Sequence, residues 1–495
     1  MTTLDASRPL AAPLAPGAAP FTPEEADRLA RRLGGPVFRP GDDGYDAERS
    51  GFQAGHRHRP ALIAGAADAG DVAAAVAFAR AHRLPVAVQA TGHGLSTATD
   101  GGLLISTRRM SGVTVDPATR TARVGAGAVW SQVVEAAAPY GLAPLNGSSP
   151  GVGVVSYTLG GGVGLLARTY GFAADHVRAL DLVTADARRV RVTAASDPAL
   201  FQGLLGGGHG LGVVTGMEFG LVPVARLYGG QLVFGADRID EALAAYLRWT
   251  ATVPDTLTSS LALIAYPDLP QLPAPLRGRH LLQIRIAFTG SAEEGARLVA
   301  PLRAIGPAVS DDLREMPYAE SATIHRDPAD PHAYNGDNAL LRGVDAAALR
   351  RVAALTGPAA PVMVVVQLNH LGGALAAGPD GTGGATGVGH RDARFALRVL
   401  SPLAAGGDGD GLAAVRAVHA AALAEVAPWR LGRSVNFLLG EQRARSDAAE
   451  VARSTHGPGA WHRRAALKAA HDPENVFRFH PYDGGPEADG TGTAG

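Results

Sequence analysis

Apolar residues recur along the chain at two spacings, and the switches between them mark out elements. Pro60 is followed by "ALIAG", a short continuous apolar run that predicts a strand. Asp68 to His82 then carries Val72, Val76 and Ala79 at helical spacing, and Pro85 starts a second apolar run, "VAVQA". The three form a β-α-β unit. Short strands are expected at "GLLIS" and "TARVGAG", and "VWSQVVEAAAPYG" reads as a helix ending at Gly141. "LDLVTADARRVRV" reads as a hairpin turning around Ala185 to Arg188, and "GVVTGMEFGLVPV" as a further strand. Up to about Val224 this is one α+β domain.

The texture changes from Arg226 to about Arg430. Helical stretches at Asp237 to Thr252, Ala292 to Ile305 and Asp345 to Leu355 alternate with strands such as "HLLQIRIAF" and "VMVVVQL". Helices laid over one face of an antiparallel sheet are the simplest packing of that pattern. "AAGPDGTGGATGVG" is a loop. The last ordered part, "RSVNFLLG" to "NVFRFHPY", is too small to fold alone and must dock on what precedes it. The divisions expected are a disordered leader over 1–20, a first domain over 21–224 with its core at about 56–224, a second over 225–430, a docking segment over 431–482 and a disordered tail over 483–495.

Composition narrows the chemistry. The chain has 495 residues, 18% of them charged, and a net charge of -1, so no basic field exists for nucleic acid or an anionic membrane surface. Cys is absent, which excludes disulfides, thiolate metal sites and a cysteine nucleophile. The first 20 residues contain no apolar core of signal-peptide length, and no run reaches the roughly 18 apolar residues of a membrane span, which points to a cytoplasmic protein. His56 and His58 in "GHRHRP" share the spacing of a metal pair, but no third ligand is near and arginines are interleaved. Solvent exposure is the expectation there, and no metal is expected.

Three glycine clusters lie in the first domain: "ATGHG" at 90–94, "TLGGGVG" at 158–164 and "LLGGGHGLG" at 204–212. Clustered glycines let backbone N–H groups approach an anion with no Cβ in the way, which suits a pyrophosphate. Loop flexibility in a glycine-rich chain is the competing explanation. No G-x-x-x-x-G-K-[ST] occurs, and the one G-x-G-x-x-G, Gly490 to Gly495, cannot open a helix after a strand. A P-loop enzyme and an ordinary dinucleotide-binding dehydrogenase both lose ground.

The ordered succession "PVAVQATGHG", "VGAGAVWSQVVEAAAPYGL", "GSSPGVGVVSYTLGGGVGLLARTYGFAADHV", "LDLVTAD" and "GGGHGLGVVTGMEF", closed by "HDPENVFRFHPY", resembles the FAD-linked oxidases of the vanillyl-alcohol-oxidase superfamily. Within it, the berberine-bridge-enzyme-like branch is the nearest likeness. The resemblance spans Pro60 to Val224 and Ser434 to Tyr482. It implies a two-subdomain, PCMH-type FAD-binding domain, and a substrate domain whose antiparallel sheet roofs the flavin ring. It also implies that the C-terminal segment returns to the FAD domain. On this resemblance His93 matches the histidine bonded to the flavin 8α carbon. Ala90, Thr91, Gly92, Gly94 and Leu95 would hold the pyrophosphate by backbone. Gly153, Thr158, Gly160, Gly161, Gly162 and Gly164 would lie along pyrophosphate and ring, Val214 at the adenine, and Asn475 on the returning segment. Ser149 stands where many relatives attach the flavin a second time through cysteine, so a single histidyl bond is expected. Gln89 replaces the usual basic residue before the glycines, and Gln202, Leu205 and Gly210 depart from the usual Trp, Arg and Asn.

The catalytic base is less legible. Sugar and alcohol oxidases of the family often place a tyrosine after an asparagine in the C-terminal segment; this chain has Asn436-Phe437, and Phe exchanges no proton. Tyr157, His325 and His370 are the catalytic candidates retained, from a field that includes His209, Tyr318, Glu320, Tyr334, Asn369 and His390. If Asn369 and His370 lie on a strand they point to opposite faces. The expected activity is hydride transfer from a small organic substrate, plausibly a secondary metabolite, to flavin N5, with O2 as acceptor. A flavin-containing cyclase or other non-redox tailoring enzyme is the alternative, since an unprotonated amine substrate or a non-redox reaction would each tolerate loss of the tyrosine. Oligomeric state is left open.

Overall fold

Asp68, shortly after the first strand of the β-α-β unit, caps the next helix, its carboxylate accepting from the N–H groups of Gly70 and Asp71. The helix, Ala69–Ala81, buries Val72, Ala75, Val76 and Ala79 against a four-stranded sheet. In that sheet Leu62–Gly65 and Val86–Gln89 each run parallel to Leu103–Ser106, and Val37–Phe38 adds an antiparallel edge. The computed structural model describes residues 20–95, 98–207, 210–270, 272–274, 276–377, 386–404, 409–440, 448–457 and 459–478. Nearly all of the leader, the whole tail expected to be disordered, most of the 376–389 loop and His209 lie outside those residues.

A second, five-stranded antiparallel sheet follows, ordered Val113–Asp116, Thr121–Gly125, Val213–Gly220, Val177–Val183 and Arg189–Val192. The expected hairpin pairs Val183 with Arg189, and Ala187 takes φ 63 in its turn. Helix Trp130–Ala137, a 3-10 turn and left-handed Gly141 match the reading of that stretch.

The third sheet has nine strands among the described residues, all paired antiparallel. Its long members are Arg226–Phe234, Leu257–Ala265, His280–Phe288, Tyr334–Leu341, Val365–His370 and Phe395–Pro402. Helices Ile239–Thr250, Ala292–Arg303, Ala346–Leu355 and Gly409–Ala424 lie over one face, around a core that includes Leu232, Leu261, Ile284, Leu341, Leu368 and Leu397. Each such leucine contributes roughly 1.5–3 kcal/mol through burial. The opposite face turns to the first two sheets: Leu227 and Ala287 share a cluster with Leu145 and Leu166, and Leu340 and Ala396 share one with Val154 and Phe172.

Residues after 431 lace the halves together. Arg433 and Asp337 form a buried ion pair at 3.1 Å, and Asn338 exchanges two hydrogen bonds with the backbone of Ser434. Further on, the Val86 N–H donates to Val476 O, while Asp472 accepts from the N–H groups of Val476 and Phe477 and pairs with Lys468. The last described residues therefore lie along the edge of the first sheet, at Val86.

The histidines of "GHRHRP" correct the sequence reading. His58 is only 3% exposed, with Nε2 3.0 Å from Gln89 Oε1 and Nδ1 3.1 Å from the Thr99 hydroxyl. The interleaved arginines suggested a solvated segment, yet the polar partners that made burial affordable lie 31 and 41 residues away. Burial lowers the imidazole to about 4. The unfolded chain takes up this proton near 6.5 and the folded chain does not, so stability present above 6.5 is lost as pH falls from there toward 4. The loss is on the order of 3 kcal/mol at most for this group. Urea midpoints measured from pH 7 to 4.5 should fall less steeply in His58→Gln than in wild type. Separately, Arg433→Met removes the cation paired with the buried Asp337 carboxylate and should cost about 3 kcal/mol, read as a lower thermal midpoint, with Arg433→Lys intermediate.

Candidate active site

The site begins where strand Val86–Gln89 ends. Gln89 is buried and tied to His58, and the chain then turns through Gly92 at φ 72, where a Cβ would come within 2.7 Å of Gly51 Cα. The carbonyls of the turn face outward: Phe52 N–H donates to Thr91 O (2.8 Å), Gln53 N–H to Gly92 O (3.2 Å), Tyr334 hydroxyl to His93 O (2.5 Å) and Gly440 N–H to Leu95 O (3.0 Å). With the carbonyls spoken for, the N–H groups of Thr91 to Leu95 donate to no acceptor among the described residues. Five successive free donors in a glycine turn suit an anion such as a pyrophosphate.

His93 stands in this turn. Its ring stacks on Phe52 at 3.9 Å and 12°, and Nδ1 lies 2.9 Å from the Thr91 hydroxyl. Nε2 is buried with no partner. Burial, reinforced by His332, lowers the imidazole to about 4, so it is neutral at physiological pH and keeps a nucleophilic lone pair. It borders a cavity of about 520 Å³ lined also by Phe52, Ala90, Thr91, Arg108 and Gln132. Gly151 lies against the ring, since a Cβ there would be 3.7 Å from His93 Cε1. Ser149, half-buried two residues earlier, accepts from Val152 N–H through its carbonyl (3.4 Å).

The second glycine cluster is shaped by what it must pass. Gly153 precedes helix Val154–Leu159, within which the Thr158 hydroxyl donates back to Val154 O. A Cβ on Gly160 would overlap Asn436 Oδ1, one on Gly162 would reach 2.5 Å from the Tyr157 ring, and one on Gly164 would reach 2.0 Å from Asn146 O. Gly161 has φ 106 and packs on Val388. Tyr157 is thus enclosed by the glycine turns, edge-on to Trp130, with its hydroxyl donating to Leu145 O at 3.3 Å. Val214 is buried in its strand opposite Leu182, and Asn475 takes φ 50 with Oδ1 buried and unpartnered. Free amides, close-approach glycines and a neutral buried imidazole fit a flavin dinucleotide.

Facing this half is the open face of the large sheet. The register aligns Gln231, Arg285, Ser260 and Asn369 in one row across four strands, and Gln283, Gln367, Arg398 and Asn338 in the next. His325 lies beside them, lowered to about 3 by burial and by Arg285, against the pull of Asp327. Asp327 is surrounded by protein yet keeps accessible surface, as a group on a cleft wall does. Its pKa is lowered: desolvation opposes the charge, but His325, the Ser148 hydroxyl, Arg285 and Arg398 outweigh it. Arg398 stacks 3.8 Å over the Phe437 ring.

The other sequence candidates are scattered. His370 is on the helix-facing side of its strand, opposite to Asn369, with Nε2 3.1 Å from an Arg168 nitrogen. Tyr318 donates to Asn146 Oδ1, Glu320 pairs with Arg314 at the surface, and His390 contacts Ser454 O. Arg285, Arg398, Asp327 and Ser148 escaped the sequence reading. The signal available was a charged residue at an alternate position of an apolar strand, in "LLQIRIAF" and "FALRVL".

Residues 60–193 match the family described as FAD binding domain. Over 92% of its length this chain is 28% identical to (R)-6-hydroxynicotine oxidase of Paenarthrobacter nicotinovorans, covering 97% of that protein. Among solved structures it is similar to xylooligosaccharide oxidase from Myceliophthora thermophila, with a TM-score of 0.79, 20% identity and coverage of 92% and 98% of the two chains. Glucooligosaccharide oxidase from Acremonium strictum, described as carrying 6-S-cysteinyl, 8α-N1-histidyl FAD, matches with a TM-score of 0.77, 21% identity and coverage of 91% and 97%. The structural matches carry the fold, and the match over 60–193 carries the cofactor domain. The chain thus carries an FAD binding domain in its first half and is similar over nearly its whole length to FAD-linked oxidoreductases.

Proposed function

We propose that the protein is an oxidase of a small organic substrate, with O2 as electron acceptor, and that His93 holds FAD through a single 8α-histidyl bond. The observation that carries the reading is His93 itself, neutral, held flat on Phe52 and set among five free backbone donors. The absence of Cys, with Ser149 two residues before the Gly151 that lies against the imidazole, supports one covalent attachment instead of two. Bound FAD supplies a two-electron acceptor that takes hydride at N5 and is reoxidised by O2 to give hydrogen peroxide.

The chain's own part is to hold and enclose. Thr91 to Leu95 offer donors to the pyrophosphate, with Ala90, Gly153, Thr158, Gly160, Gly161, Gly162, Gly164, Val214 and Asn475 assigned to the cofactor by the family resemblance. The large sheet closes over them and excludes water, so that a substrate C–H is placed over the ring in one orientation. Of the three catalytic candidates we retain His325, which lies in the field of Arg285, Asp327 and Arg398, whereas Tyr157 and His370 are engaged elsewhere. At about 3, His325 serves as a neutral hydrogen-bonding group and is too weak for a general base near pH 7. An amine arriving unprotonated needs no such base, in keeping with Phe437 where a tyrosine would stand. The names of the relatives, hydroxynicotine and oligosaccharide oxidases, support a small organic substrate over a cyclisation. A cytoplasmic setting and a role in secondary metabolism belong to the same reading.

Acid precipitation tests the attachment. The wild-type pellet should stay yellow and the His93→Ala pellet should be colourless, with FAD in the supernatant. A colourless wild-type pellet overturns the covalent bond.

A further inference from the structure

The helix-free face of the large sheet carries more unpaired polarity than a fold requires. In the row Gln231, Arg285, Ser260 and Asn369, each residue has a buried side-chain atom with no partner: Oε1, Nε, Oγ and Oδ1 respectively. Gln231, Arg285 and Ser260 are 6%, 6% and 4% exposed. Native proteins satisfy buried polar groups, so four orphans in one row mark a surface shaped for something else to bind. They belong to the face that turns toward the FAD-binding half, because their neighbours Leu227, Ala287, Leu340 and Ala396 on the same face pack against it.

Charge specifies the ligand. Arg285 gives one nitrogen to Gln283 Oε1 at 2.6 Å and keeps Nε free. Arg398 lies over the Phe437 ring, its Cζ 3.8 Å from the centroid, and it bonds to no acceptor among the described residues. Asp327 is the one carboxylate that acts on both guanidiniums, and it already accepts from the Ser148 hydroxyl. His325 between them is neutral. Among the described residues, two cations against one engaged anion leave this face a positive charge in excess, and each guanidinium offers the planar fork of donors that a carboxylate accepts.

We propose that Arg285 and Arg398 form a carboxylate subsite, and that the substrate is an organic acid oriented by its carboxylate under the large sheet. This rests on the reading of the cleft as the substrate site of an FAD-dependent oxidase. The row from Gln231 to Asn369 then supplies neutral hydrogen bonds to the rest of the molecule, and the Phe437 ring gives an apolar floor beside it.

The flavin spectrum of the holoprotein reports binding without turnover. Two size-matched pairs serve as probes: acetate with acetamide, and benzoate with benzamide. In wild type at least one acid should perturb the flavin bands and bind about tenfold tighter than its amide. Arg398→Gln should erase that preference with the amide's affinity little changed, and Arg398→Lys should retain part of it. FAD content of each variant is measured alongside. Wild-type protein that holds FAD but binds acid and amide alike overturns the subsite, as does an acid preference that survives in both Arg398→Gln and Arg285→Gln. Wild-type protein that holds no FAD fails the oxidase reading instead.

Discussion

The stack of His93 on Phe52 organises the site. It clamps a turn that has just left a buried strand, and it does so while the carbonyls of that turn are drawn outward by Phe52, Gln53, Tyr334 and Gly440. A peptide unit that turns its oxygen one way turns its N–H the other. The row of inward donors is thus a product of the outward contacts, and the imidazole is held neutral by the same burial that holds it still. Three separate parts of the chain, near residues 52, 334 and 440, converge on one five-residue turn.

Much of the cofactor half was legible in the sequence because its signals are local. Asp68 as a cap, the spacing of Val72, Val76 and Ala79, and left-handed Gly141 each act within one or two turns of the chain. The glycine clusters were legible as well, though their physical cause was only partly so. Gly160, Gly162 and Gly164 owe their missing side chains to Asn436, Tyr157 and Asn146 as much as to any ligand. His58 shows the limit of local reading: its neighbours are arginines, and its environment is set by Gln89 and Thr99 from other strands.

The half built on the large sheet was harder to read for a definable reason. Strands such as Arg226–Phe234 and Leu257–Ala265 are covered on both faces, by helices on one side and by the cofactor half on the other, so the alternation that announces a half-exposed strand is weak. Helix Gly409–Ala424, rich in Ala, has little amphipathic contrast to announce it. The polar rows are assembled by register between strands far apart in sequence. Gln231 and Asn369 belong to one row only once four strands have been paired. No window along the chain contains that information.

The lacing of residues after 431 has a consequence in time. Phe437, Asn436 and Val476 complete the site, yet all are synthesised after every glycine turn and every long strand of the large sheet. A nascent chain released only to that point would have an open trough, with Asp337 still waiting for Arg433 and the strand edge at Val86 still bare. The walls of the site can therefore be completed only after nearly all of the chain has been made.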